Sequence, residues 1–139
     1  MNVVIADDNP LHRRFLERLL TQWGYQVIAV DTGAAALEAL EPDSGPSLAI
    51  LDWLMPNMDG LEVARRVRAL RQYRYVYILL LTALDARSDL IQAFEAGVDD
   101  FLSKPFNAEE LSVRLRAARR VLAAEERYRL ITETASDAA

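Results

Sequence analysis

Leu48-Ala-Ile-Leu-Asp-Trp-Leu-Met-Pro-Asn-Met-Asp-Gly60 is the stretch on which the reading of this chain turns. Four apolar residues run straight into a carboxylate, Asp52, and Pro56 and Gly60 then mark a turn. A short apolar run closed by turn signals is how a strand buried on both faces reads. Its last residue then lies at the carboxyl edge of a parallel sheet, where open α/β folds place their ligands. The plainer alternative has Asp52 capping the next helix. Asp59 is better placed for that, because the helical pattern starts beside it at Gly60.

Outward from this stretch the same pattern repeats. Residues 3–6 are an apolar run that ends in Asp7-Asp8-Asn9-Pro10, a break and helix-start signal. Leu11, Phe15, Leu19 and Leu20 then recur at helical spacing until Gly24 stops them. A strand over 25–30, an alanine-rich helix over 33–40 and a loop over 42–46 lead back to Asp52. Beyond it, Leu61, Ala64, Val67 and Leu70 line an amphipathic helix. A fourth apolar run, 76–81, ends at Thr82. A helix over about 86–96 follows, with Leu90, Ala93 and Phe94 expected to face inward and Gly97 closing it. Residues 99–102 are a short fifth strand ending near Ser103-Lys104-Pro105. Asn107 is a good N-cap for the last helix, whose inner face is Leu111, Leu115 and Ala118. Five strands alternating with five helices predict an α/β fold, a doubly wound five-stranded parallel sheet. Right-handed crossovers put helices on both faces.

Composition narrows the function classes. The 139 residues are 52% hydrophobic, ample for a core, and suggest one domain with a tail. The longest apolar run is far too short for a bilayer, which takes about 20 residues. No secretory signal pattern opens the chain and there is no cysteine, so the expected setting is the cytoplasm, without disulfide or thiolate chemistry. The formal charge is −5 and no Lys/Arg run suggests a nucleic-acid groove. Arg65, Arg66, Arg68, Arg71 and Arg74 read as a solvated helix face and its exit.

In such a fold every strand ends on the same side. The strand ends are Asp7 and Asp8, then Asp52, then Thr82, then Lys104. Three crowded carboxylates repel: at an effective dielectric near 20, a pair ~4 Å apart costs about 4 kcal/mol. They persist as anions only with a cation among them. Oxygen ligands beside a single ammonium suit Mg²⁺, which takes one or two carboxylates plus phosphate oxygens. Asp52 could then be a carboxylate nucleophile that becomes an aspartyl phosphate. Lys104, the Thr82 hydroxyl and the metal would offset charge on the transferring oxygens, and small Ala83 leaves room.

The set Asp7-Asp8, Asp52-Trp-Leu-Met-Pro-Asn-Met-Asp-Gly60, Leu81-Thr-Ala83 and Lys104-Pro-Phe106 resembles the receiver domain of two-component response regulators over roughly residues 2–122. The resemblance implies the (βα)5 flavodoxin-like receiver fold, with Asp52 as phosphoacceptor. It implies Asp8 as a direct Mg²⁺ ligand, Asp7 as one acting largely through water, and the Leu54 carbonyl as the third protein ligand. Thr82 matches the switch hydroxyl and Lys104 the phosphoryl counter-charge, with a cis bond to Pro105. The implied phosphoryl donor is a histidine kinase or phosphotransfer protein, and the implied recipient a downstream output domain or protein reached through the surface of the fourth helix, fifth strand and fifth helix. Such a chain catalyses only its own phosphorylation and dephosphorylation.

Some positions depart from the family's common pattern. Phe101 stands at the switch aromatic, where phenylalanine brings shape but no hydroxyl; the alternative is a plain core side chain. Leu54 and Leu84 lie two residues after Asp52 and Thr82, and two leucines would shield an acyl phosphate from water without orienting it. The phosphoryl group is therefore expected to be long-lived. Trp53 adjoins the acceptor and should report site occupancy by fluorescence. His12, the only histidine, reads as a solvated side chain beside Arg13 and Arg14.

The last helix does not stop where a receiver would. Ala117, Val121, Ala124, Tyr128 and Ile131 alternate by four and three, a short heptad-like seam offset from Leu111, Leu115 and Ala118. A frayed extension is one reading; a helix that pairs with a partner chain, including a homodimer through the fourth helix, fifth strand and fifth helix together with this extension, is the other. Residues 126–137 also resemble the opening of a PAS sensory domain. The expected organisation is a receiver over 1–122 and a helical extension or linker over 123–139, which the PAS resemblance would make the start of a following domain.

The same residues bear on other functions. A Mg²⁺-dependent phosphatase with an aspartyl nucleophile needs a second acid two residues on, where Leu54 stands. A flavin module needs a phosphate loop after the first strand, where Asp7 and Asp8 would repel the phosphate. A degenerate receiver used only for docking is opposed by the complete acidic set. No DNA-binding or catalytic output unit fits in the remainder, so no direct nucleic-acid contact and no membrane contact are expected.

Overall fold

The computed structural model describes residues 1–70, 74–83 and 87–138, with side chains to residue 132. Its elements are β1 (Asn2–Ala6), α1 (Pro10–Gln22), β2 (Gln26–Val30), α2 (Gly33–Leu40), β3 (Leu48–Asp52) and α3 (Gly60–Ala69). These are followed by β4 (Tyr77–Thr82), α4 (Arg87–Glu95), β5 (Asp100–Ser103) and α5 (Ala108–Ala138). All strand pairs are parallel and the sheet order is β2-β1-β3-β4-β5. This is the flavodoxin-like order, whose direction reverses between β1 and β3 and leaves a crevice outside their carboxyl ends.

Strand alternation sorts the core into two layers. Val4, Ala6, Ala49, Leu51, Ile78 and Leu80 face one side, against α2, α3 and Ala93 of α4. Val3, Ile5, Leu48, Ile50, Leu79 and Leu81 face the other, against α1 and α5. β3 and β4 are buried at every position, which is why they read as unbroken apolar runs. Helix starts follow from short side chains that accept otherwise orphaned amides. Asn9 accepts from Leu11 and His12 at 2.9 and 3.3 Å, Asp59 from Glu62 at 2.9 Å, and Asn107 from Glu110 at 2.8 Å. Among the described residues, no helix is long and apolar enough to cross a membrane.

Side-chain direction is settled in three places, the last two against expectation. On α1 the buried pair is Leu16 and Leu20, while Leu11 and Phe15 face solvent. On α4 Ala93 is buried but Phe94 is exposed, its ring edge-on to Phe101 with centroids 5.9 Å apart. Arg68 and Arg74 are not solvated. Arg68 donates to the carbonyls of Gly97 and Val76 and to Asp99 at 2.7–3.0 Å, and its guanidinium lies over the Tyr75 ring. Arg74 staples the α2–β3 loop by donating to the carbonyls of Leu40, Pro42 and Pro46. Arg65 and Arg66 are exposed as expected and pair with Glu62, while Arg71 lies outside the described residues.

α5 runs unbroken for 31 residues. Leu111, Leu115, Ala118 and Leu122 pack on the sheet, and no described side chain beyond Leu122 is buried.

Candidate functional site

β1 and β3 are neighbours at the switch point, so the residues that end them meet. Asp7, Asp8 and Asp52 each offer a carboxylate oxygen, and these oxygens lie within 4.8 Å of one another. Asp7 is fully buried and Asp52 nearly so, while Asp8 is exposed. Lys104, carried on the turn after β5, reaches in with its Nζ 3.0 Å from Asp52 Oδ1 and 3.8 Å from Asp7 Oδ2. Its peptide bond to Pro105 is cis, and its amide donates to the Thr82 carbonyl at 2.8 Å.

The local chain geometry serves this crowding. Asp7 Oδ1 accepts the Asn9 amide at 2.9 Å, which turns the chain into α1 and fixes the carboxylate. Arg13 donates to the Asp7 carbonyl at 2.9 Å from within α1. Below Asp52, a Cβ at buried Gly60 would stand 2.6 Å from the Asp52 carbonyl oxygen and 2.9 Å from Leu80 Cδ1. Only glycine lets α3 begin directly beneath the acceptor. The sequence marked Gly60 as a turn; this second requirement has no local signal.

Electrostatically the cluster is incomplete. Asp7 Oδ2 is buried with no hydrogen-bond partner. Burial pushes the Asp52 carboxyl above its usual range, Asp7 and Asp8 push the same way, and the Lys104 hydrogen bond and charge oppose them. One ammonium faces three carboxylates. A buried acceptor left without a donor is uncommon in folded proteins and points to a group the chain does not supply. The donor set is all oxygen and its open side faces solvent at Asp8, which fits a hard divalent cation such as Mg²⁺.

The other residues expected here divide. Thr82 is buried at the end of β4, one residue beyond the Asp52–Leu81 register pair. Leu54 turns its side chain outward, 62% exposed. Trp53 is buried beside the acceptor. Phe101 is half-buried on β5 and touches the α2–α3–α4 layer. Leu84 lies outside the described residues. His12 is largely exposed, yet its Nδ1 comes within 4.0 Å of Asp7 Oδ2, a proximity its helix position did not announce.

Comparison with known proteins places this geometry. Residues 3–116 match the response regulator receiver domain family. The transcriptional regulatory protein KdpE of Mycobacterium tuberculosis is 42% identical over 135 residues, covering 96% of this chain and 58% of that protein. The chain thus spans little more than half of that curated relative. Among solved structures, the receiver domain of the sensor histidine kinase PA1611 from Pseudomonas aeruginosa PAO1 superposes with a TM-score of 0.75 at 31% identity. It covers 84% of this chain and 94% of that one, and holds a magnesium ion in its active site cleft. The signal receiver domain of a histidine kinase from Syntrophus aciditrophicus has a TM-score of 0.77 at 32% identity, over 88% and 90% of the two chains.

Proposed function

Because this chain belongs to the response regulator receiver family, we propose that it is a phosphorylation switch whose acceptor is Asp52. The observation that carries the assignment is the under-compensated carboxylate cluster: Asp52 is buried against a single ammonium, beside an Asp7 oxygen with no hydrogen-bond partner. The donor is a phosphorylated histidine of a kinase or phosphotransfer protein. One Asp52 oxygen forms the new P–O bond as the P–N bond breaks, and the electron pair returns to the donor imidazole. Lys104 holds the Asp52 side chain in place before transfer and offsets charge on the phosphoryl oxygens after it.

Asp7, Asp8, Asp52 and the Leu54 carbonyl are the groups assigned to hold Mg²⁺. When bound, that ion supplies the divalent charge that lets three carboxylates and a phosphoryl group share one crevice. Thr82 is assigned the hydroxyl that moves onto the phosphoryl group. Phe101, packed edge-on to exposed Phe94, follows by shape alone. The α4–β5–α5 face thereby changes population rather than acquiring a new fold. The output is carried by a further domain or protein, or by pairing of two copies through that face and the α5 extension. Transcriptional control, the role in KdpE's name, is on this reading a property of such an output and not of the receiver sheet. The chain acts as a switch and turns over no external substrate. We assign residues 1–122 to the receiver and 123–139 to the extension, in a cytoplasmic setting.

The test is incorporation of labelled phosphoryl group from a small-molecule phosphodonor with Mg²⁺. Wild type is expected to label and Asp52→Asn to lose labelling entirely while keeping its helical circular dichroism. Labelling of Asp52→Asn at the wild-type rate would reject the assignment.

A further inference from the structure

We propose that the distal half of α5 forms a parallel, two-stranded coiled coil with a second copy of this chain. The proposal rests on the pairing of copies named above and gives it a helix face, a register and a direction; it needs no phosphoryl chemistry.

α5 carries two apolar stripes. Leu111, Leu115, Ala118 and Leu122 are buried on the sheet, and their line continues as Glu125 and Arg129, so the body's apolar grip ends there. Ala117, Val121, Ala124, Tyr128 and Ile131 form the second stripe, one residue or about 100° round the helix. All five are exposed, with Tyr128 at 70% and Ile131 at 68%. Since the stripes are distinct, the helix can hold its own body and a partner helix together. Helical stability in proteins comes mostly from packing an amphipathic face. Beyond Leu122 the described residues offer this helix no such packing.

The flanking charges choose the occupant and its direction. With Val121 and Tyr128 at heptad position a and Ala117, Ala124 and Ile131 at d, Arg120 falls at g and Glu125 at e. In a parallel pair, g faces the e position about five residues later in the other helix. Arg120 then meets the partner subunit's Glu125, and symmetry repeats the contact. In an antiparallel pair, g faces g and e faces e, setting Arg120 against Arg127 and Glu125 against Glu125. Among the described residues neither Arg120 nor Glu125 has an ion-pair partner in its own chain; Glu125 lies close enough to Tyr75 to push its phenol upward, and neither charge meets an opposite one. Traced backward, the seam meets Arg114, which pairs with Asp100 at 3.5 Å, so the apolar line begins at Ala117.

The chain has no cysteine, so single substitutions report direction cleanly. Under mild oxidation without Mg²⁺ or phosphodonor, Ala117→Cys and Ile131→Cys are each expected to form a disulfide with themselves. Ala123→Cys, off the seam, is expected to stay reduced. In sedimentation equilibrium, Ile131→Lys is expected to weaken the dimer about 100-fold. Arg120→Glu and Glu125→Arg are each expected to weaken it roughly tenfold, and the double reversal to recover the loss. These side chains are exposed, so none of the variants removes a core residue. A monomer at every concentration would overturn the proposal and leave the seam to some other partner. Disulfides only in mixtures of Ala117→Cys with Ile131→Cys would overturn it in favour of an antiparallel pair. A double reversal no tighter than the singles would overturn the register. None of these failures touches the assignment of Asp52, which is read by label.

Discussion

At the carboxyl edge of the sheet Asp52 shares its surroundings with Asp7, Asp8 and one ammonium. At the opposite edge, just before β5, Asp99 accepts from a guanidinium, a phenol and a main-chain amide. Arg68 and the Ile78 amide donate to its Oδ2, each at 2.8 Å, and the Tyr75 hydroxyl donates to its Oδ1. Both carboxylates are largely withdrawn from water, but only the second is closed within the chain. A satisfied network of this kind ties α3, β4 and β5 together and asks for nothing further. The first leaves a buried oxygen without a donor and a carboxyl that burial pushes upward. A stabilising network and a site built for an outside cation and phosphoryl group thus differ in how completely their charges are matched.

The comparison breaks most readily at Asp99. Asp99→Ala leaves Arg68 partly buried without its anion, and removing one partner of such a pair costs about 3 kcal/mol. The expected fall in melting temperature is about 10 °C, read by calorimetry. A change within 2 °C, roughly the effect of an ordinary surface substitution, would mean that the network stabilises little.

Asp52→Asn should move stability the other way. Removing one of three crowded carboxylates is expected to raise stability by about 1 kcal/mol at neutral pH without Mg²⁺. The sign follows from the upward shift. A carboxyl whose folded value is raised favours folding below its unfolded value and loses that contribution as pH rises through the folded one. The gain of the variant over wild type should therefore shrink to nothing toward acid pH. Denaturant midpoints at two pH values check this.

Leu54 tests how the open cluster is covered. Its exposed side chain is expected to slow hydrolysis of the acyl phosphate, so Leu54→Asn should shorten the lifetime of the label about fivefold, a change worth roughly 1 kcal/mol. An unchanged decay would remove the shielding role.

An effect of the same order, confined to alkaline pH in its loss, is expected at Tyr75. Burial and the hydrogen bond to Asp99 push its phenol up to about 12. The folded value exceeds the unfolded one of 10.0, so the contribution is complete below that pH and is lost as pH rises toward 12. Tyr75→Phe should cost about 1 kcal/mol at neutral pH, and the difference from wild type should close through that alkaline window. A difference that stays constant would assign the effect to packing.

How far the sequence revealed these two regions follows from where their partners lie. The acidic cluster was legible because each member ends an apolar run, and parallel strands bring their ends together. The helix starts at Asn9, Asp59 and Asn107 were legible because a cap is two or three residues from the amide it satisfies. Arg68 and Arg74 looked solvated because their partners lie far off in sequence, at Asp99 and at the carbonyls of Leu40, Pro42 and Pro46. On α1, Leu11 and Phe15 repeat at the same spacing as Leu16 and Leu20, and periodicity alone does not say which pair meets the sheet. Phe94 follows buried Ala93 by one residue and about 100°, so apolar character alone does not tell which of the two meets the sheet. The unbroken course of α5 past Leu122 was readable as a change of stripe.

The most direct measurement is guanidinium unfolding of wild type and Asp52→Asn, each with and without Mg²⁺. Wild type should gain about 2 kcal/mol or more at saturating Mg²⁺, since a ligand bound only by the folded state stabilises it by mass action. Asp52→Asn should start higher and gain much less. A wild type indifferent to Mg²⁺, or an Asp52→Asn variant less stable than wild type without the ion, would contradict an open cluster built for a cation and a phosphoryl group.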